Sequence, residues 1–163
     1  MRLLEFKISR YHEIIKGIYI SESNDWYYIQ NNIVDYVLDG YKILNKKFIR
    51  EIKEVREDCF DWKVLNIKYK SYHNQMPIND YLTTFSYLQK ENKLIGLGLE
   101  SEKFILVGKI KTINNKSFAF DKIGTNTQHL EVETIRYDNI RFISIDTDYL
   151  NSLELYIAQS KYL

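Results

Sequence analysis

The chain reads as a mainly β protein with a few helices, arranged as two small five-stranded barrels related by internal duplication. Three observations lead there. The composition is strand-forming: among 163 residues, Tyr 14, Phe 8 and Trp 2 make 15% aromatic, against Pro 1 and Gly 6, and aromatic side chains suit the pleated, half-buried surface of a sheet. Landmarks recur at one gapless offset, the 91 residues that separate Gly17 from Gly108. At that offset Ile14-Ile15-Lys16-Gly17 meets Ile105-Leu106-Val107-Gly108, Leu3 meets Leu94, Asn24 meets Asn115, and Ile49-Arg50-x-Ile52 meets Ile140-Arg141-x-Ile143. Each half also carries a glycine inside its second strand, a mark of a sharp bend or a close backbone approach, and a small closed barrel requires such a bend.

Taken in chain order, strands are expected at Leu3–Ser9, Glu13–Ile20 and Trp26–Gln30. Alternation places Trp26 and Tyr28 on one face and Tyr27 on the other. This trio is expected to fill the interface between the barrels, with base stacking as the competing use. Asp39-Gly40 supplies a turn, followed by strands Tyr41–Leu44 and Phe48–Val55. Residues 57–70 stay open between a helix, favoured by Glu57-Asp58, and a strand from Val64 to Tyr69. The first barrel takes residues 1–70, a linker holding the single proline, Pro77, takes 71–78, and the second barrel with its helices takes 79–163. Asn79-Asp80 caps a helix that runs to Glu91 and buries Leu82, Phe85 and Leu88. Strands follow at Leu94–Leu99 and at Phe104–Ile113 with Gly108 at its middle. A hairpin turn at Asn114-Asn115-Lys116 leads into Ser117–Phe120. A polar loop from Gly124 to Gln128 precedes Leu130–Ile135, a corner from Arg136 to Asn139 follows, and Ile140–Ile145 closes the barrel. Thr147-Asp148 caps a last helix with Leu150, Leu153 and Ile157 on one face.

Charge narrows the function. Lys+Arg is 23 and Asp+Glu is 22, a formal net charge of +1. Residues 1–70 hold 13 basic and 11 acidic side chains, and residues 71–163 hold 10 and 11. Neither half has a basic stripe, so tight binding of nucleic acid at physiological salt is disfavoured. Lys46-Lys47 with Arg50 and Lys53 is interleaved with Glu51, Glu54 and Glu57 and reads as a solvated mixed-charge face. The N-terminus has no signal-like apolar run, and no stretch approaches the roughly 18 apolar residues that span a bilayer. A cytoplasmic protein without membrane contact is expected.

The chain offers little for catalysis. Cys59, the only cysteine, is expected to be a partly buried structural thiol, with no disulfide or thiolate cluster. His12, His73 and His129 lack any recognised zinc spacing. Asp146 and Asp148 stand where a helix begins and read as capping groups. Gly96-x-Gly98 lies within a strand and not before a helix, so close packing explains it better than a phosphate loop. The reading is a protein that is not an enzyme and takes no metal or cofactor.

A helix followed by five strands with a glycine at the bend of the second resembles the Sm-like (LSM) fold. The residues that carry the resemblance are the helix from Asp80 to about Glu91, Leu94–Glu100, Phe104-Ile105-Leu106-Val107-Gly108-Lys109-Ile110, Ser117-Phe118-Ala119-Phe120 and Ile140-Arg141-Phe142-Ile143. Residues Asp35–Ile49 of the first half resemble uncharacterised bacterial proteins with the same barrel, so that the likeness covers most of the chain. Sm proteins bind uridine-rich RNA through an Asp and an Asn in the loop between strands two and three and an Arg-Gly between strands four and five. The resemblance thus implies RNA contact at Asn114, Lys116, Ser117 and Arg141, although Arg136-Tyr137-Asp138-Asn139 stands where the family has Arg-Gly. The expected function is a non-enzymatic binding or assembly module acting through protein–protein contacts, of which an immunity-type protein covering a toxin's active site is one form, or self-association through sheet edges. RNA binding is the alternative.

Overall fold

The computed structural model describes residues 1–69 and 75–160. Its strands are β1 (Leu3–Ile8), β2 (Ile14–Glu22), β3 (Trp26–Val34), β4 (Val37–Asn45), β5 (Ile49–Glu54), β6 (Ile95–Gly98), β7 (Leu106–Ile113), β8 (Ser117–Ile123), β9 (His129–Arg136) and β10 (Phe142–Ile145). Its helices are α1 (Phe60–Lys68), α2 (Tyr81–Glu91) and α3 (Asp148–Ser160). The protein is therefore mainly β, as the alternation and aromatic content require.

The ten strands form one open antiparallel sheet in the order β5-β1-β2-β3-β4-β10-β6-β7-β8-β9. This corrects the expectation of two closed barrels. Closure of the first half would need β4 to meet β5, but the outer edge of β4 is taken by β10, with Leu44 opposite Phe142 and Tyr41 opposite Ile145. Strands β5 and β9 are left as the two outer strands.

Several backbone features recur 91 residues apart. Short 3-10 turns occupy Lys46–Phe48 and Tyr137–Asn139. The Lys46 N–H donates to Asp25 O at 2.8 Å and the Tyr137 N–H to Lys116 O at 3.1 Å. A Cβ on Gly17 would lie 2.6 Å from Gln30 O, and one on Gly108 would lie 2.2 Å from Asp121 O. At both sites glycine lets two strands approach closer than any side chain allows.

The largest core cluster draws on both halves, with Trp26, Tyr28 and Ile43 from the first and Phe118, Phe120, Tyr137 and Ile143 from the second, covered by Phe85 and Leu88 of α2. A second cluster joins Leu4, Phe6, Ile8, Ile29 and Leu44 to Phe142. Met76 and Ile78, placed in the expected linker, are buried in the first cluster; residues 71–74 of that linker, and with them His73, lie outside the described residues.

Local details differ from the sequence reading for identifiable reasons. Residues 57–70 contain helix α1, whose inward side chain is Leu65. In α2, Asp80 caps as expected by accepting from the Thr83 N–H at 2.7 Å, but Leu82 is 47% exposed. Tyr81 takes the inward place, because it stands seven residues, nearly two helical turns, before Leu88, and its ring meets Trp26 at 4.9 Å. The turn between β3 and β4 falls at Asp35-Tyr36, secured by the Asn32 amide, which donates to Asp35 O and Val37 O at 3.0 Å each. Gly40 lies inside β4 with φ +59, where a Cβ would meet Ile145 O. Helix α3 is capped by the Thr147 hydroxyl, which accepts from the Leu150 N–H at 3.2 Å, while Asp146 pairs with Lys93 at 2.9 Å. Cys59 is exposed. Gly98 packs under the Phe142 ring and Gly96 against Ile105.

Candidate functional site

Three of the four residues singled out for ligand contact sit on one hairpin. The Asn114 N–H donates to Ser117 O at 2.8 Å, and the Tyr137 hydroxyl donates to Asn114 O at 2.8 Å. Asn114 and Lys116 are exposed, and Ser117 lies opposite Arg136. The Arg136 guanidinium is held by Asp138 through bonds of 3.0 and 2.8 Å. Arg141 does not join them. It is 5% exposed, its Nε donates to the Ser9 carbonyl at 3.2 Å, and its guanidinium lies 4.5 Å from the centre of the Phe48 ring and 5.8 Å from that of Tyr11. All three partners belong to the first half of the chain.

The aromatic trio divides as alternation predicts. Trp26 and Tyr28 are fully buried; Trp26 meets Tyr81 and Phe85 of α2, and Tyr28 lies 5.6 Å from Tyr41. Burial pushes the Tyr28 hydroxyl well above its ordinary pKa. Tyr27 points the other way, 5.3 Å from Phe6 and under the Lys46 ammonium at 4.5 Å. Buried rings cannot stack on bases, so Trp26 and Tyr28 serve packing in a core that both halves share.

Functional interest shifts to the β4–β10 junction, where the fold places Lys42 over Phe142 and brings Arg141 to Lys47 and Arg50, two placements that sequence reasoning did not foresee. Lys42 sits opposite Ser144, with its Nζ 4.2 Å from the centre of the Phe142 ring. Burial lowers its pKa to about 8, opposed weakly by Glu13. It lines a cavity of about 240 Å³ with Tyr11, Asn31 and Phe142, adjoined by a groove of about 500 Å³ that reaches Ser144, Phe104 and Leu150. Beyond Tyr11, whose hydroxyl donates to Leu99 O at 2.6 Å and is raised by burial to about 12, lies a third cleft of about 590 Å³ lined by Arg141, Arg50 and Lys47. Burial also lowers the Arg141 pKa, with Tyr11 opposing and Arg10 adding to the effect. The one hint of Lys42 in the sequence is a lysine flanked by Tyr41 and Ile43 in a strand; its burial depends on β10, which arrives about a hundred residues later in the chain.

Lys42 has a measurable consequence. Below pH 8 both the folded and the unfolded chain carry its proton, and the fold bears the cost of burying the charge. Between pH 8 and the ordinary value of 10.5 the folded state releases that proton while the unfolded state keeps it, so this group's contribution to stability rises with pH across the window. Lys42→Met is expected to stabilise the protein at pH 7 by about 2 kcal/mol after allowance for solvent screening. The advantage should vanish near pH 10.5; urea unfolding of both proteins at the two pH values measures it.

Among the described residues, no group of three or more His, Cys, Asp or Glu side chains could hold a metal ion, and no helix is long and apolar enough to cross a membrane. His12 pairs with Glu102 at 2.9 Å and His129 with Asp121 at 2.6 Å. Comparison of the chain with protein-family models, with curated proteins and with solved structures finds no match.

Proposed function

We propose that the protein is a non-enzymatic assembly module, two copies of one Sm-like five-strand unit, which joins further copies of itself edge to edge. The observation that carries this reading is the β4–β10 junction. Ninety-one residues separate the landmarks of the two halves, and at that spacing β5 corresponds to β10 and β9 to β4. The chain therefore exposes at its outer edges the counterparts of two strands that already pair inside it. Unpaired edge strands present rows of backbone donors and acceptors that are templates for a further strand.

The internal register, Phe142 opposite Leu44 through Ile145 opposite Tyr41, transfers to a definite pairing between molecules. Glu51 would face Ile135, Ile52 would face Thr134, Lys53 would face Glu133 and Glu54 would face Val132. The pair of Lys53 with Glu133 is complementary, and Ile52 and Val132 are exposed apolar side chains that such a contact would cover. Head-to-tail pairing of this kind builds rings or filaments according to whether the rotation closes.

Light scattering across a concentration series tests it. The wild type is expected to gain mass with concentration. Lys53→Glu should weaken association roughly tenfold by placing like charges across the new ladder, and Lys53→Glu combined with Glu133→Lys should restore it. A monomer at all concentrations, or indifference to both charge changes, removes the reading. Binding of uridine-rich RNA through Asn114, Lys116 and Ser117 is the competing function, and its mark would be a complex that weakens steeply as salt rises.

A further inference from the structure

We propose that the cleft around Arg141, formed between the two halves of the chain, binds the phosphate monoester group of a small molecule. The starting point is an imbalance of charge. Arg141 is 5% exposed, yet among the described residues no carboxylate pairs with it; its Nε is spent on the Ser9 carbonyl, and aromatic faces of Phe48 and Tyr11 flank the guanidinium. A buried cation without an anion is costly, and an anionic ligand removes that cost.

The rim adds to the imbalance. Arg50 reaches the Ser9 hydroxyl at 3.1 Å and Lys47 reaches the backbone carbonyl of Asp138 at 3.2 Å, neither of them a charged partner. The two acidic residues of the cleft, Glu100 and Asp138, are already matched, Glu100 by Arg10 and Asp138 by Arg136. Among the described residues, Arg141 and Arg50 have no carboxylate partner, and Lys47, whose charge also acts on Asp138, joins them at one opening of about 590 Å³. That volume falls in the range of roughly 300–1,000 Å³ typical of small-molecule sites. A doubly charged phosphate answers two or three cations where a carboxylate answers one, and the planar fork of arginine matches its oxygens. The cleft is formed within a single chain, and although Arg50 belongs to the edge strand β5, nothing in the inference requires that strand to be paired with another copy.

The test is a titration of the full chain by calorimetry at constant ionic strength, with inorganic phosphate, then adenosine 5′-monophosphate, with adenosine and chloride as controls. Saturable binding of the monophosphate, tighter than inorganic phosphate and absent for adenosine, is the expected result. Arg141→Gln should weaken it at least tenfold. Should that variant fail to fold, Arg50→Gln, a change at an exposed side chain, is expected to weaken binding severalfold with an unchanged melting temperature. Binding of phosphate alone, with no gain from the nucleoside, would reduce the site to a free-anion site and overturn the small-molecule assignment. Binding of an oligouridylate but of neither small probe would assign the cleft to a polynucleotide instead. No saturable binding below about 10 mM, or binding unchanged in both arginine variants, would overturn the proposal outright.

Discussion

Phe85→Ala is expected to destabilise the protein by about 3–5 kcal/mol, the range for truncating a buried phenylalanine. Phe85 is fully buried, stacked on Phe118 with ring centres 4.6 Å apart, and in contact with Tyr137 at 4.9 Å and Trp26 at 6.4 Å. It joins α2 to both halves of the sheet. Alanine would leave a cavity walled by rings fixed on two strands and a turn, which have little freedom to collapse into it. For a chain of this size the melting temperature should fall by roughly 10 °C. Leu82→Ala, three residues earlier on the exposed side of the same helix, should change stability by less than about 1 kcal/mol. Thermal and urea unfolding of the two variants measures the contrast, and a Phe85→Ala effect under about 0.5 kcal/mol would mean that α2 does not cover this core.

Gly108→Val is expected to cost about 3 kcal/mol or more, at the upper end of what overpacking does. A Cβ there would stand 2.2 Å from Asp121 O and 2.9 Å from its carbonyl carbon, both backbone atoms of the paired strand β8. Relief requires β7 and β8 to part, which breaks ladder bonds on either side of the glycine. Gly17→Val faces the matching obstacle at Gln30 O and should behave alike. Gly124→Ala provides the control, because the atoms it would meet belong to the flexible side chain of Gln128; its cost should stay near 0.5 kcal/mol. A valine tolerated at 108 would show that the close approach of the two strands is not obligatory.

Apart from its strands, the sequence marked those places where one residue's chemistry suffices to decide local structure. Asp80 caps its helix because a carboxylate beside a free N–H is a local event. Gly17 and Gly108 were legible as points of close approach because no other residue lacks a Cβ. Trp26 and Tyr28 were assigned one face and Tyr27 the other by the two-residue period of a strand. The bend after Asn114 was written in its polar, turn-forming residues. Gly40 misled, because a glycine can serve a turn or a close contact equally well, and here it accommodates Ile145 O inside a strand.

Tertiary structure alone decided how the strands share their edges. Whether β4 meets β5 or β10 is a choice between two long-range pairings that the same alternation satisfies, and it turned the two expected barrels into a single open sheet. The same choice placed Arg141 of the second half against Ser9, Tyr11 and Phe48 of the first, and it left Lys42 half-buried over the Phe142 ring. Neither cation looks unusual in sequence, since both stand next to apolar residues in ordinary strands. Composition, period and turn chemistry act over a few residues and are therefore carried by the sequence itself; the charge state and partners of a side chain depend on which distant segment comes to lie against it, and only the assembled fold brings that segment there.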